Sequence, residues 1–67
     1  MNTEYLDQLA QQLKADKSAA CRRAIERILA RMKKRCEEGV YGSPTEGELD
    51  FRRFVEQERT CRKQTLS

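Results

Sequence analysis

The sequence predicts a single all-α domain, built from three helices or from a two-helix hairpin with a long first helix. No Gly or Pro occurs from Met1 to Glu38, and that half consists mostly of good helix formers. Apolar residues recur there at helical spacing, and a Gly-Val-Tyr-Gly loop separates this half from a second helix start. The domain covers residues 1–67, with helices predicted near 3–14, 17–38 and 44–62.

The first predicted helix has Thr3 as its N-cap and carries Leu6, Leu9 and Leu13 on one side. In a continuous helix the centre of these leucines would be rotated by roughly 110° from the apolar stripe that follows, and supercoiling absorbs only about 20° per heptad. We therefore expect a break near residues 15–17, with Asp16 as the N-cap of the next helix. A continuous helix remains the alternative.

The second predicted helix contains a narrow apolar stripe. Its members fall within roughly 100° of one another at about 100° per residue, and they are Cys21, Ile25, Ile28, Leu29, Met32 and Cys36. Cations cluster near the end of this helix, and Gly39 follows, a residue that tolerates positive φ. The helix is therefore predicted to end before Gly39.

The third predicted helix has three agreeing start signals. Ser43 can cap it, Pro44 suits the first helical position, and Glu46 stands where a capping box needs an acid. A competing start has Asp50 as the cap, with Leu49 and Phe54 as a hydrophobic staple around it.

Large apolar residues are few. Leu, Ile, Val and Phe together number 12 of 67 residues, which is just under the roughly 20% below which disorder becomes likely. Small domains with so little core material commonly need a staple or an association to be stable. We therefore expect the chain to complete its core against a second copy, as a homodimer.

The three cysteines are Cys21, Cys36 and Cys61, and the chain has no histidine. This composition argues against a zinc site, so no metal is predicted. On one helix Cys21 and Cys36 would lie roughly 22 Å apart, too far for a disulfide. We expect reduced core cysteines in the cytoplasm, with an intermolecular disulfide as the alternative. No segment is apolar enough to span a membrane, so no membrane interaction is predicted.

The sequence lacks the residues of common catalytic sites. It has no histidine for general-base work, no GxSxG nucleophile motif and no glycine-rich phosphate loop. We predict that the protein is not an enzyme and that it has no catalytic residues, no cofactor and no small-molecule substrate.

Charge is strongly divided along the chain. Residues 14–36 hold nine cations and two carboxylates, a net charge of +7, whereas residues 37–50 hold five carboxylates and no cation. The two segments could pair, which predicts antiparallel packing of the last helix on the second. Alternatively, the basic helix binds nucleic acid. Its candidate phosphate contacts lie mainly opposite the apolar stripe, and they are Arg23, Arg27, Arg31 and Lys34.

Protein binding is the first functional hypothesis. It describes a small regulator, an adaptor or inhibitor, that recognises a partner protein through apolar residues left unsatisfied within one short chain. The candidate contacts are Leu6, Leu9, Leu13, Val40 and Tyr41. Tyr41 stands out because an aromatic side chain on a glycine-flanked loop can serve as an anchor at little entropic cost.

Overall fold

The computed structural model describes residues 3–62 and confirms the all-α class, since no strand occurs among these residues. The chain forms four helices: α1 (Glu4–Lys14), α2 (Ala19–Glu37), α3 (Pro44–Gln57) and α4 (Arg59–Arg62). The central helix is α2, which contacts each of the other three.

A break separates α1 from α2, so the alternative of one long first helix is wrong. Asp16 adopts a left-handed conformation with φ 61°, which no helix interior accepts. The predicted cap is wrong by two residues, because Ser18 and not Asp16 is the N-cap of α2. The Ser18 hydroxyl accepts a hydrogen bond from the Cys21 backbone N–H at 3.2 Å. Thr3 is the N-cap of α1 but makes no side-chain capping bond.

The start of α3 follows the Ser-Pro-Thr-Glu signal, so the competing start at Asp50 is wrong. Ser43 is the N-cap and Pro44 is the first helical residue. Ser43 Oγ accepts a hydrogen bond from the Glu46 N–H at 3.4 Å, and Glu46 Oε2 accepts one from the Gly42 N–H at 2.6 Å. The predicted continuous helix to residue 62 is interrupted, because Glu58 has an extended backbone with ψ 120° and separates α3 from α4.

Helices α1 and α3 both run antiparallel to α2. Ion pairs join Lys14 to Glu26 at 3.1 Å and Lys33 to Asp7 at 2.8 Å, so the end of α1 lies near the start of α2. On the other side Arg35, near the end of α2, pairs with Asp50 in the middle of α3 at 3.6 Å, whereas Cys21 at the start of α2 is bonded to Cys61 beyond the end of α3. The predicted antiparallel packing of the last helical region on α2 is therefore confirmed, although only this one ion pair joins the acidic segment to α2 within residues 3–62.

The core encloses the leucine face of α1. Leu6 and Leu9 are only 0% and 4% exposed, and they pack in one cluster with Ile25, Met32 and Phe51. The expectation that one copy would leave Leu6 and Leu9 exposed is wrong. The break near Asp16 lets α1 rotate independently, so its leucines and the stripe of α2 meet at the same core.

A disulfide joins Cys21, at the start of α2, to Cys61 in α4, with their Cα atoms 4.9 Å apart. The expectation of reduced cysteines is therefore wrong for this pair, whereas Cys36 is buried and takes no part in the disulfide. The bond closes a loop across 40 positions. It fastens the short α4 to the helix at the centre of the fold.

Candidate functional site

The exposed side of α2 carries a row of cations. Arg23, Arg27, Arg31 and Lys34 are all exposed, and we call them the basic face. At about 100° per residue they fall within roughly 80° of one another. Their Cα atoms span about 16 Å of helix at 1.5 Å per residue. The predicted phosphate contacts therefore do lie together on one surface.

The acidic residues 37–50 make no ion pair with the basic face. Of the nine cations between residues 14 and 36, three make ion pairs with other residues in the described part of the chain: Lys14, Lys33 and Arg35. These pairs hold α1 and α3 against α2. The members of the basic face make no such pair among residues 3–62, so their charge is available to an external anion.

One side of the basic face borders a groove between α2 and the junction of α3 and α4. This groove has a volume of about 380 Å³ and is lined by Ala24, Arg27, Ile28, Arg31 and Glu58. The Arg31 guanidinium lies 5.8 Å from the centre of the Phe54 ring, a cation–π contact that limits where this side chain can point. Glu58 is the one carboxylate at this edge.

The residue types of the basic face suit phosphate contact better than base recognition. Arginine and lysine meet phosphate oxygens through charge-assisted hydrogen bonds. In the major groove Asn and Gln read adenine and Arg and Lys can read guanine, and exposed aromatic rings stack on bases. No Asn, Gln or aromatic residue occurs between residues 14 and 36. The face therefore lacks the side chains that read adenine or stack on bases, and its arginines and lysine suit phosphate contacts.

The predicted protein-contact residues are dispersed by the fold. Leu6 and Leu9 are in the core, Leu13 and Tyr41 are half-buried, and only Val40 is open, at 52% exposure. These five residues do not form one surface patch.

Tyr41 is held by its own chain. Its hydroxyl lies 2.7 Å from Asp50 Oδ2, to which it donates a hydrogen bond, and 3.1 Å from Met32 Sδ. The Arg35 guanidinium lies 5.9 Å from the ring centre. Burial, together with the hydrogen bond to the Asp50 carboxylate, raises the pKa of Tyr41 to about 12. In this arrangement Tyr41 fixes the loop to α3 and does not project as an anchor.

Leu49 is an exposed residue that the sequence analysis did not select. It is 59% exposed in the middle of α3. Beside it lies a groove of about 310 Å³, lined by Arg35, Tyr41, Glu46, Leu49, Asp50 and Arg53. Its helical spacing from Phe51 and Val55 was the available signal, because Leu49 lies off the stripe that these two buried residues define.

Within residues 3–62, no group of three or more His, Cys, Asp or Glu side chains is placed to hold a metal ion. No helix in that range has the length and apolar character needed to cross a membrane.

No protein-family model, curated protein or solved structure matches this chain.

Proposed function

We propose that the protein is a non-enzymatic nucleic-acid-binding protein that contacts phosphates through the basic face of α2. The observation that carries this proposal is that Arg23, Arg27, Arg31 and Lys34 are exposed together and unpaired within residues 3–62. Residue types on this face favour sequence-independent contact with the backbone. By occupying nucleic acid that other proteins also bind, such a protein would act as a regulator.

The proposal is tested by fluorescence anisotropy of a labelled DNA duplex at low salt. The variant Arg23→Ala, Arg27→Ala, Arg31→Ala, Lys34→Ala should lose nearly all affinity. A control variant removes four cations elsewhere, Lys17, Arg22, Arg52 and Arg59, again to alanine. Both variants change the formal net charge from +3 to −1, so only the location of the charge differs. An equal loss of DNA affinity in both variants would contradict binding through the basic face.

Partner-protein binding, as an adaptor or inhibitor, is the second candidate. It is favoured by Val40 and Leu49, which are the exposed large apolar residues among the described ones. The leucines of α1 no longer support it, because the core encloses Leu6 and Leu9. If it is correct, Val40→Asp and Leu49→Asp should each reduce recovery of the same partner from lysate, whereas Gln11→Asp on the exposed surface of α1 should not.

Location is a separate proposal. A cytoplasmic site remains a prediction, but disulfides persist mainly in oxidising compartments. The Cys21–Cys61 bond therefore favours a location outside the reducing cytosol. Lysing source cells directly in denaturant with an alkylating reagent would test it. A cytosolic chain would then carry three reactive thiols, and an oxidised chain only one.

A further inference from the structure

We propose that α3 pairs with a second copy of this chain through a self-complementary face formed by Glu46, Leu49 and Arg53, here called the pairing face. All three side chains are exposed. Leu49 supplies an apolar centre, with an anion on one side and a cation on the other. The inference rests on the second proposed function, for which it names the partner, and it is independent of nucleic-acid binding.

Helix geometry places the three residues on one stripe. Positions 46, 49 and 53 fall within roughly 60° of one another at about 100° per residue. The Cα atoms of Glu46 and Arg53 are about 10 Å apart along the axis at 1.5 Å per residue. Leu49 lies near the midpoint between them.

This order of charges fits a two-fold axis. If two α3 helices cross antiparallel with the axis beside Leu49, each Glu46 faces the Arg53 of the other copy. The contact is isologous, because the same patch serves both copies and both charge pairs form at once. The pairing face has no net charge, so neither a polyanion nor a basic partner is attracted to it by charge.

The surroundings of the face are already organised within one copy. Glu46 Oε2 accepts the Gly42 N–H at 2.6 Å, which orients this carboxylate. Asp50 is engaged by Tyr41 at 2.7 Å and by Arg35 at 3.6 Å. Arg53 makes no ion pair within residues 3–62. Leu49 borders the groove of about 310 Å³, which leaves room for the Leu49 side chain of a second copy.

The expected association is weak. One helix of 14 residues is about 21 Å long, and it offers less than the roughly 800 Å² per partner of a standard stable interface. Dimers should therefore appear only as concentration rises, with Kd on the order of 10–1000 μM.

Sedimentation equilibrium across that concentration range tests the proposal. Leu49→Asp should abolish the dimer, and Glu46→Arg or Arg53→Glu should each weaken it by about tenfold, because like charges then face each other. Arg59→Glu, in α4 and beyond the end of α3, is the matched control and should leave the dimer unchanged. Circular dichroism of each variant would check that it is folded.

Mixing the two charge variants gives the sharpest outcome. A Glu46→Arg chain presents two arginines and an Arg53→Glu chain presents two glutamates, so the mixture should form a heterodimer that is tighter than the homodimer of either variant. The chain carrying both changes should also dimerise. A wild-type monomer at every concentration, a dimer indifferent to Leu49→Asp, or no recovery on mixing would overturn the proposal. If the wild type forms no dimer but captures another protein through Leu49, only this inference is overturned, and the second proposed function survives.

Discussion

The Cα atoms of Cys21 and Cys61 lie 4.9 Å apart, although 40 positions separate the two residues in the chain. Their disulfide ties the end of the described chain to the start of the central helix. Both cysteines are also buried in the core, with Leu6 and Leu9. One covalent bond therefore holds the two ends of this small apolar core together within one copy. The homodimer predicted to complete the core stays a prediction.

Removal of this disulfide should destabilise the fold strongly. For a loop of this length the chain-entropy relation gives about 4 kcal/mol, which is comparable to the roughly 3–5 kcal/mol that a core of this size supplies. Urea unfolding followed by circular dichroism should show this loss for the variant Cys21→Ala, Cys61→Ala. The same loss should appear for the wild type treated with a dithiol reductant.

Two controls accompany that measurement. The double variant should no longer respond to the reductant, and Cys36→Ala should respond as the wild type does, because Cys36 is not part of the disulfide. Equal stability of wild type and double variant under oxidising conditions would show that the bond contributes nothing.

Gly47 should resist replacement by alanine. In an exposed helix interior this change gains about 1 kcal/mol from helix propensity. Here an added Cβ would collide with the Tyr5 hydroxyl oxygen and would lie 3.2 Å from two ring carbons of Tyr5. We expect Gly47→Ala to destabilise the protein by about 1–3 kcal/mol, as measured by thermal unfolding.

The partner of that clash can be removed in part. Tyr5→Phe deletes the oxygen and should recover some of the stability lost in Gly47→Ala, while having little effect alone. Additive losses in the combined variant would mean that Tyr5 and Gly47 do not meet.

Tyr41 should stabilise the loop between α2 and α3 through its hydroxyl. Tyr41→Phe removes the hydrogen bond to Asp50, which is 2.7 Å long, at an expected cost of about 1–2 kcal/mol. Tyr5→Phe is the matched control, because the Tyr5 hydroxyl has only a 3.8 Å contact to Cys36 Sγ. Urea unfolding should rank Tyr41→Phe clearly below Tyr5→Phe, and the opposite order would contradict the packing of the loop.

Alkaline pH should unfold the protein through its tyrosines. The pKa of Tyr5 is raised from its ordinary 10.0 to about 12, first by burial and then by its hydrogen bond to Cys36. The pKa of Tyr41 is raised to the same value, about 12. The folded state then keeps protons that the unfolded state releases, so the free energy of unfolding is unaffected below pH 10 and falls between about pH 10 and 12.

This pH dependence can be followed by circular dichroism together with tyrosinate absorbance. The variant carrying Tyr5→Phe and Tyr41→Phe should lose most of the decline between about pH 10 and 12. Both tyrosines ionising near pH 10 in the folded wild type would contradict the pKa values.

The helices were predictable from the sequence because their signals are local. Ser43 and Pro44 mark the start of α3, and Gly39, with φ 78°, follows the end of α2. The offset of Leu6 and Leu9 from the α2 stripe also indicated the break correctly. Its further interpretation was wrong, since the turn that separates the helices is also what brings the two apolar faces together.

The tertiary contacts were harder to predict from the sequence. Spacing along one helix excludes a bond between Cys21 and Cys36, but it says nothing of Cys61, whose position depends on how α4 packs. The location of the basic face was predictable from helical periodicity. That Lys14, Lys33 and Arg35 would be paired and the face left open depended on the arrangement of α1 and α3 around α2.

The most direct test of the proposed function is the slope of log K against log salt for binding a DNA duplex. Four phosphate contacts predict a slope of about −3.6, and Arg27→Ala should reduce its magnitude by about 0.9. Lys33→Ala removes a cation that is paired with Asp7 at 2.8 Å, so it should leave the slope unchanged. An affinity that does not respond to salt, or equal effects of these two variants, would contradict phosphate binding by the basic face.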